Sequence, residues 1–161
     1  MVLDTVRFPT VEQRPITSDH PLTKKELRSY RKGFYVDKYG ACFKYEIPVH
    51  VNKSRILALY GPFRGAMNDI KIYESGLLAV LSPDDRIVAD RGYIGTPQVV
   101  TMKKGRDHNE TEWIINIHRQ KGENVYSRFK DFAICTAKWR GSEQEHALML
   151  GVLCKILNMH L

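Results

Sequence analysis

Arg86-Ile87-Val88-Ala89-Asp90-Arg91-Gly92-Tyr93 is the stretch on which the reading of this chain turns. Ile87 to Ala89 form a compact apolar run with no helical period, closed by Arg91 and Gly92, and such a run reads as a buried strand. Asp90 then emerges where that strand ends, at the edge of a sheet. A strand-terminal Asp can simply cap the turn after it, but a carboxylate at that place also suits chemistry.

Working outward, residues 2–8 read as a first short strand, whose opening run VLD ends in Asp4 much as RIVAD ends in Asp90. The Pro-marked polar stretch that follows has no apolar period and predicts a loop with one helical turn at residues 24–28. ACFKYEIPVHV then alternates through Tyr45, Ile47, Val49 and Val51 as a half-buried strand does. Lys53 and Ser54 turn the chain, and SRILALYG predicts an antiparallel return strand ending at Gly61 and Pro62. NDIKIYESGLLAVL places Ile70, Tyr73, Leu77, Leu78 and Leu81 at helical intervals, with Pro83 as a stop and Asn68 or Asp69 as N-cap. For Asp69 the cap is the expected role.

Beyond RIVAD, residues 98–102 predict a short strand and KKGRDHNE a basic loop. A helix is expected from about 112 or 117 to about 132, with Val125, Phe129 and Phe132 on one face and Glu123, Ser127 and Lys130 on another. Ser142 and Glu145 have the S-x-x-E form of a capping box, ahead of an apolar stripe of Ala147, Leu150, Leu153, Ile156 and Leu157. No internal repeat or low-complexity tract interrupts this order.

Composition bounds the function classes. The 161 residues suit one domain, 1–161, and 43% hydrophobic against 27% charged residues suits a folded chain. The excess of 25 Lys and Arg over 18 Asp and Glu, a net +7, favours a polyanionic partner such as nucleic acid or an acidic membrane surface. Basic side chains gather in the second half at Lys103, Lys104, Arg106, Arg119, Lys121, Arg128, Lys130, Lys138 and Arg140, and together with Ser127 they predict a surface tracking a nucleic-acid backbone. Cys42, Cys135 and Cys154 have no disulfide or zinc-knuckle spacing, and the histidines show no paired ligand spacing. Free thiols, an intracellular setting and no zinc are expected. The first residues lack the build of a secretory signal, and no run reaches the roughly 18 apolar residues of a membrane span. Trp113 and Trp139 are expected in core or rim positions ahead of base stacking.

Acids delivered from different elements repel one another unless a multivalent cation neutralises them, and oxygen-only ligands select Mg²⁺ or Mn²⁺ over zinc. Two such ions can activate water and stabilise the leaving oxygen of a phosphodiester, with no general base supplied by the protein.

YRKGFYVDKYGACFKYEIPVHV, GPFRGAMNDIKIYESGLL, RIVADRGY and GENVYSRFKDF stand in the order and approximate spacing of the DDE superfamily endonuclease domain of Harbinger-type transposases, which the chain resembles over nearly its whole length. The resemblance implies an α/β, RNase H-like mixed sheet with flanking helices, trimmed at its N-terminus. It implies DNA cleavage with divalent metal, a nuclear location, and a triad of Asp4, Asp90 and Glu123 as both catalytic residues and metal ligands. The family usually has Asp-Gly-Thr where this chain has Asp4-Thr5-Val6, and the upstream helical DNA-binding region of such transposases is not in this sequence. A domesticated or degenerate binding module, working with a separate DNA-binding partner protein, is therefore the alternative expectation.

Overall fold

The computed structural model describes residues 1–11, 23–36, 40–102 and 110–160. Seven strands and five α-helices alternate along it: β1 (Val2–Pro9), α1 (Lys24–Phe34), β2 (Tyr35–Val36), β3 (Gly40–His50), β4 (Arg55–Ile56), β5 (Tyr60–Arg64), α2 (Asp69–Ser75), β6 (Ile87–Ala89), β7 (Val99–Thr101), α3 (Glu110–Arg128), α4 (Ala133–Thr136) and α5 (Glu143–Met159). The sheet runs β2-β3-β1-β6-β7, with β4 and β5 also paired to β3. β1 and β3 are antiparallel, from Val2 opposite Val49 to Pro9 opposite Cys42, whereas β6 runs parallel to both β1 and β7. This is the mixed α/β, RNase H-like architecture expected.

The two faces of the sheet bury different cores. Alternate residues of β3 (Phe43, Tyr45, Ile47 and Val49) join Phe8 of β1 and meet Val125 and Phe129 from the helical region and Leu150, Leu153 and Leu157 of α5. On the other face Leu3, Ile87 and Ala89 pack against Tyr73, Leu77 and Tyr93. Period-two side chains on the strands and a 3.6-residue stripe on α5 make both possible. α5 opens with the expected capping box, Ser142 and Glu145 each bonding to the other's backbone. In its stripe, however, Ile156 is exposed while His146 and Cys154 are buried. His146 fits there because its ring sits among Phe8, Phe43, Tyr45 and Trp139 and shares a 2.8 Å hydrogen bond with the Tyr45 hydroxyl.

Several local expectations need correcting. The single helical turn at 24–28 is α1, eleven residues long, because Thr23 and Glu26 form a reciprocal cap that starts a run of good helix formers. The return strand is split: β4 is two residues long, and β5 continues through Gly61 and Pro62 as far as Arg64. The helix after Asn68 ends at Ser75 and passes into a 3₁₀ turn, Leu77–Val80, before Pro83 is reached. α3 ends at Arg128 and a 3₁₀ turn, Phe129–Asp131, replaces its expected last residues. α4 was not foreseen, since four residues carry no readable period. Cys42, Cys135 and Cys154 are buried and unbridged, as expected, and no helix is long and apolar enough to cross a membrane among the described residues. Trp139 takes the packed role, its indole N–H donating to Ser142 O, while Trp113 is exposed.

Candidate active site

Strand pairing brings the first two acids together. Val2 of β1 is the parallel partner of Val88 of β6, so Asp4, the third residue of β1, stands level with Asp90, which directly follows the last residue of β6. The third acid arrives on α3 through a close approach. A Cβ at Gly122 would lie 2.5 Å from Val2 Cγ1, so only glycine lets the helix seat against β1 there. Glu123, the next residue, then faces a cleft of about 580 Å³ that it lines with Asp4, Arg7, Asn124, Ser127 and Lys130. Tyr126 closes the cleft's base and donates to the Ile47 carbonyl at 2.9 Å, fixing α3 to the sheet.

The acids differ in their partners. Asp4 is half-buried, its Oδ1 accepting from the Thr5 amide at 2.7 Å. Burial pushes its carboxyl up to about 6 against that bond's opposing pull, and the charges of Asp90 and Asp69 push it further the same way. Asp90 caps the 3₁₀ turn Arg91–Tyr93, with Oδ1 accepting from the Gly92 amide at 2.8 Å. A Cβ at Gly92 would come 2.9 Å from that oxygen and 3.5 Å from Asp69 Oδ2. Glu123 is 61% exposed and meets Arg119 at 3.4 Å.

Four residues that sequence reasoning did not assign to the site, Thr5, Lys44, Glu46 and Asp69, sit behind these acids. Asn68, not Asp69, caps α2 by accepting from the Ile70 amide, which corrects the role expected of Asp69. Asp69 Oδ1 instead accepts from Lys44 Nζ at 2.8 Å and from Thr5 Oγ1 at 2.9 Å, and Lys44 also donates to the Met67 carbonyl. Thr5, standing where the family pattern has Gly, thus binds one acid through its amide and another through its hydroxyl. Glu46 is fully buried, accepts from the Tyr93 hydroxyl at 3.4 Å, and is pushed up to about 7, by burial first and by the Asp69 charge in addition. Its Oε2 meets no hydrogen-bond partner among the described residues. Lys44 and Glu46 had a signal in the sequence: they are charged residues at alternate positions of a strand buried on both faces.

The basic residues divide. Lys130 and Ser127 line the cleft with Glu123, while Lys121 is exposed on the same helix. Arg119 is turned to Glu123 and to the Met102 sulfur, and Arg128 donates to the His160 carbonyl at the end of α5. Lys103, Lys104 and Arg106 lie outside the described residues.

The model of the DDE superfamily endonuclease family matches residues 3–158. The chain belongs to that family. No curated protein and no solved structure matches it. A DDE endonuclease implies a divalent metal, and the donor set suits one, being carboxylate oxygen from within one strand, from the end of its neighbour and from a helix. The side chains as they stand do not close on an ion: among the described residues no three His, Cys, Asp or Glu are grouped to hold one. Asp90 is drawn to the Gly92 amide and Glu123 to Arg119.

Proposed function

We propose that the chain is a divalent-metal-dependent DNA endonuclease core of the transposase type, of the Harbinger kind, hydrolysing phosphodiester bonds. The observation that carries this reading is the placement of Asp4 beside Asp90 on adjacent parallel strands while Asp4 and Glu123 line one cleft. Asp4, Asp90 and Glu123 would hold the Mg²⁺ or Mn²⁺, which when bound supplies a water nucleophile at neutral pH and charge stabilisation at the phosphoryl oxygens. Thr5 and Gly92 amides orient Asp4 and Asp90. Lys130 and Ser127, beside Glu123, offer a phosphate oxygen a cation and a hydroxyl, and Arg119, Lys121 and Arg128 extend the positive surface along α3. Residues 1–161 would act as a single endonuclease domain, with target recognition left to a separate DNA-binding protein and with nuclear localisation.

Plasmid nicking with and without Mg²⁺ or Mn²⁺, beside an Asp90→Asn control, tests the reading. Metal-dependent nicking is expected from the native chain and its loss from the control. Nicking that survives in Asp90→Asn would overturn the assigned site.

A second reading, a domesticated module that binds nucleic acid or protein without cutting, is favoured by the pairing of Glu123 with Arg119 and by the ungrouped carboxylates. DNA binding without nicking at any metal concentration would select it.

A further inference from the structure

Helix α1 carries positive charge that meets no acidic partner among the described residues. Its sequence, KKELRSYRKGF, sets Lys24, Lys25, Arg28, Arg31 and Lys32 against one acid, Glu26. Glu26 folds back on the helix start, its Oε2 accepting from the Thr23 amide at 2.8 Å and the Thr23 hydroxyl at 2.7 Å. It is therefore spent as a cap. Among the described residues no acidic side chain pairs with Lys24, Lys25, Arg28 or Lys32, all of which are exposed. Lys24 and Lys25 moreover occupy the first turn, the positive end of the helix dipole, where a cation costs stability. Stability does not explain them.

Their arrangement does. Lys24, Arg28 and Lys32 recur every four residues and share one edge of the helix, and with Lys25 and Ser29 they line a concavity of about 720 Å³. From Lys24 to Lys32 the edge spans roughly 12 Å, the axial rise of three to four nucleotides in one strand of a duplex. The far end of the helix is anchored beside the acids: the Ala66 amide donates to Gly33 O at 3.1 Å, and a Cβ at Gly33 would lie 3.1 Å from Arg64 Cδ. The adjoining Met67 carbonyl receives Lys44, whose ammonium holds Asp69 next to the Gly92 turn.

We propose that this edge of α1 is a binding site for the phosphodiester backbone of DNA. It is a second positive wall, distinct from the α3 surface, along which the duplex leaves the carboxylate cleft. The inference rests on the endonuclease reading for its choice of DNA as polyanion. Each side chain contacts phosphate without reading bases, so the site contributes affinity and salt dependence but no sequence preference.

Anisotropy of a short labelled duplex, titrated over a salt series in EDTA so that no cutting occurs, tests it with the full chain. The variant Lys24→Glu/Arg28→Glu/Lys32→Glu is compared with a charge-matched reversal elsewhere, Lys53→Glu/Arg55→Glu/Lys71→Glu, and circular dichroism checks that both are folded. The α1 variant is expected to lower the slope of log K against log salt by roughly 2 to 3 and to weaken binding at least about tenfold, with the matched control near native. Equal weakening in both variants would show a net-charge effect and overturn the site. Loss of binding to phosphatidylserine vesicles with duplex binding intact would reassign the face to a membrane and overturn it as well. A native chain that nicks plasmid but whose duplex affinity ignores the α1 reversals sinks this inference alone. A native chain that shows the α1-dependent salt slope but never nicks sinks only the cleavage reading.

Discussion

Strand β3 buries both of its sides, and fills them in opposite ways. Towards α5, Tyr45 shares a hydrogen bond with His146 inside a ring of aromatic side chains, and burial lowers the imidazole to about 4, so that the pair stays neutral. Towards α2, the intervening residues Lys44 and Glu46 join Asp69, with Asp4 and Asp90 close by, in a charged group where burial first, and neighbouring acids in addition, raise the carboxyls of Asp4 and Glu46. A neutral buried pair is a packing feature that needs one hydrogen bond. Like-signed carboxylates brought together cost free energy, and the proposed metal site gives that cost a use. The difference separates the face of β3 that packs by neutral contacts from the face that carries the proposed chemistry.

Removing the cation from the charged side strikes hardest. Lys44→Met leaves Asp69 without its cation, and since the two side chains are only 5% and 21% exposed, urea denaturation is expected to show a loss of about 3 kcal/mol. Adding Asp69→Leu should recover more than half of it. A cost under about 1 kcal/mol, as for an exposed pair, would break the contrast between the two sides.

Gly122→Ala tests the joint that brings α3 to the acids. The new methyl meets Val2, and a stability loss of about 2 kcal/mol is expected from denaturation melts, with nicking lost beyond what the melt predicts because Glu123 is carried away from Asp4.

Acid separates the two sides by sign. A His lowered in the folded state favours the neutral form, so its contribution is present above the unfolded value of about 6.5 and drains away as pH falls towards 4. Glu46, raised to about 7, works oppositely: its ionisation weighs on the fold above pH 7, and stability returns as pH falls from 7 towards 4.5. Melts between pH 7.5 and 4.5 are therefore expected to lose their acid-side gain in Glu46→Gln and their acid-side loss in His146→Phe. Identical pH profiles for native protein and both variants would sink the assignment.

The smallest effect sharpens the role of Thr5. Thr5→Val removes the hydroxyl bond to Asp69 and should cost about 1 kcal/mol in urea, with Thr5→Ser near native. A serine variant as unstable as the valine one would show that the methyl group, not the bond, matters.

Much of the fold was legible because it rests on local periodicity. Alternation in residues 40–50, the compact run before Asp90, and the Ser142 capping box ahead of an apolar stripe each report on their own few residues. The last-helix stripe shows the limit: period alone placed Ile156 inwards, while the core took His146, since a histidine can be buried when Tyr45 and an aromatic cage are brought to it from β1 and β3. The start of α1 had a readable T-x-x-E at Thr23 and Glu26 that the surrounding polar, Pro-marked composition obscured.

For the site, sequence showed Asp90 closing the RIVA strand and Glu123 on a polar helix face, whereas Asp4, which closes the VLD run, lies inside β1, a strand that continues to Pro9. Tertiary structure alone decided their company. It took Asp69 from the cap to the Lys44 ammonium, put Thr5 to use between two carboxylates, and made Gly122 the point of helix-to-strand contact, whereas the pairing of Glu123 with Arg119 is an i,i+4 contact within α3. These contacts join residues up to 120 positions apart in sequence, and a one-dimensional pattern carries periodicity but not distance, so the electrostatic balance of the site exists only once β1, β3 and β6 are aligned.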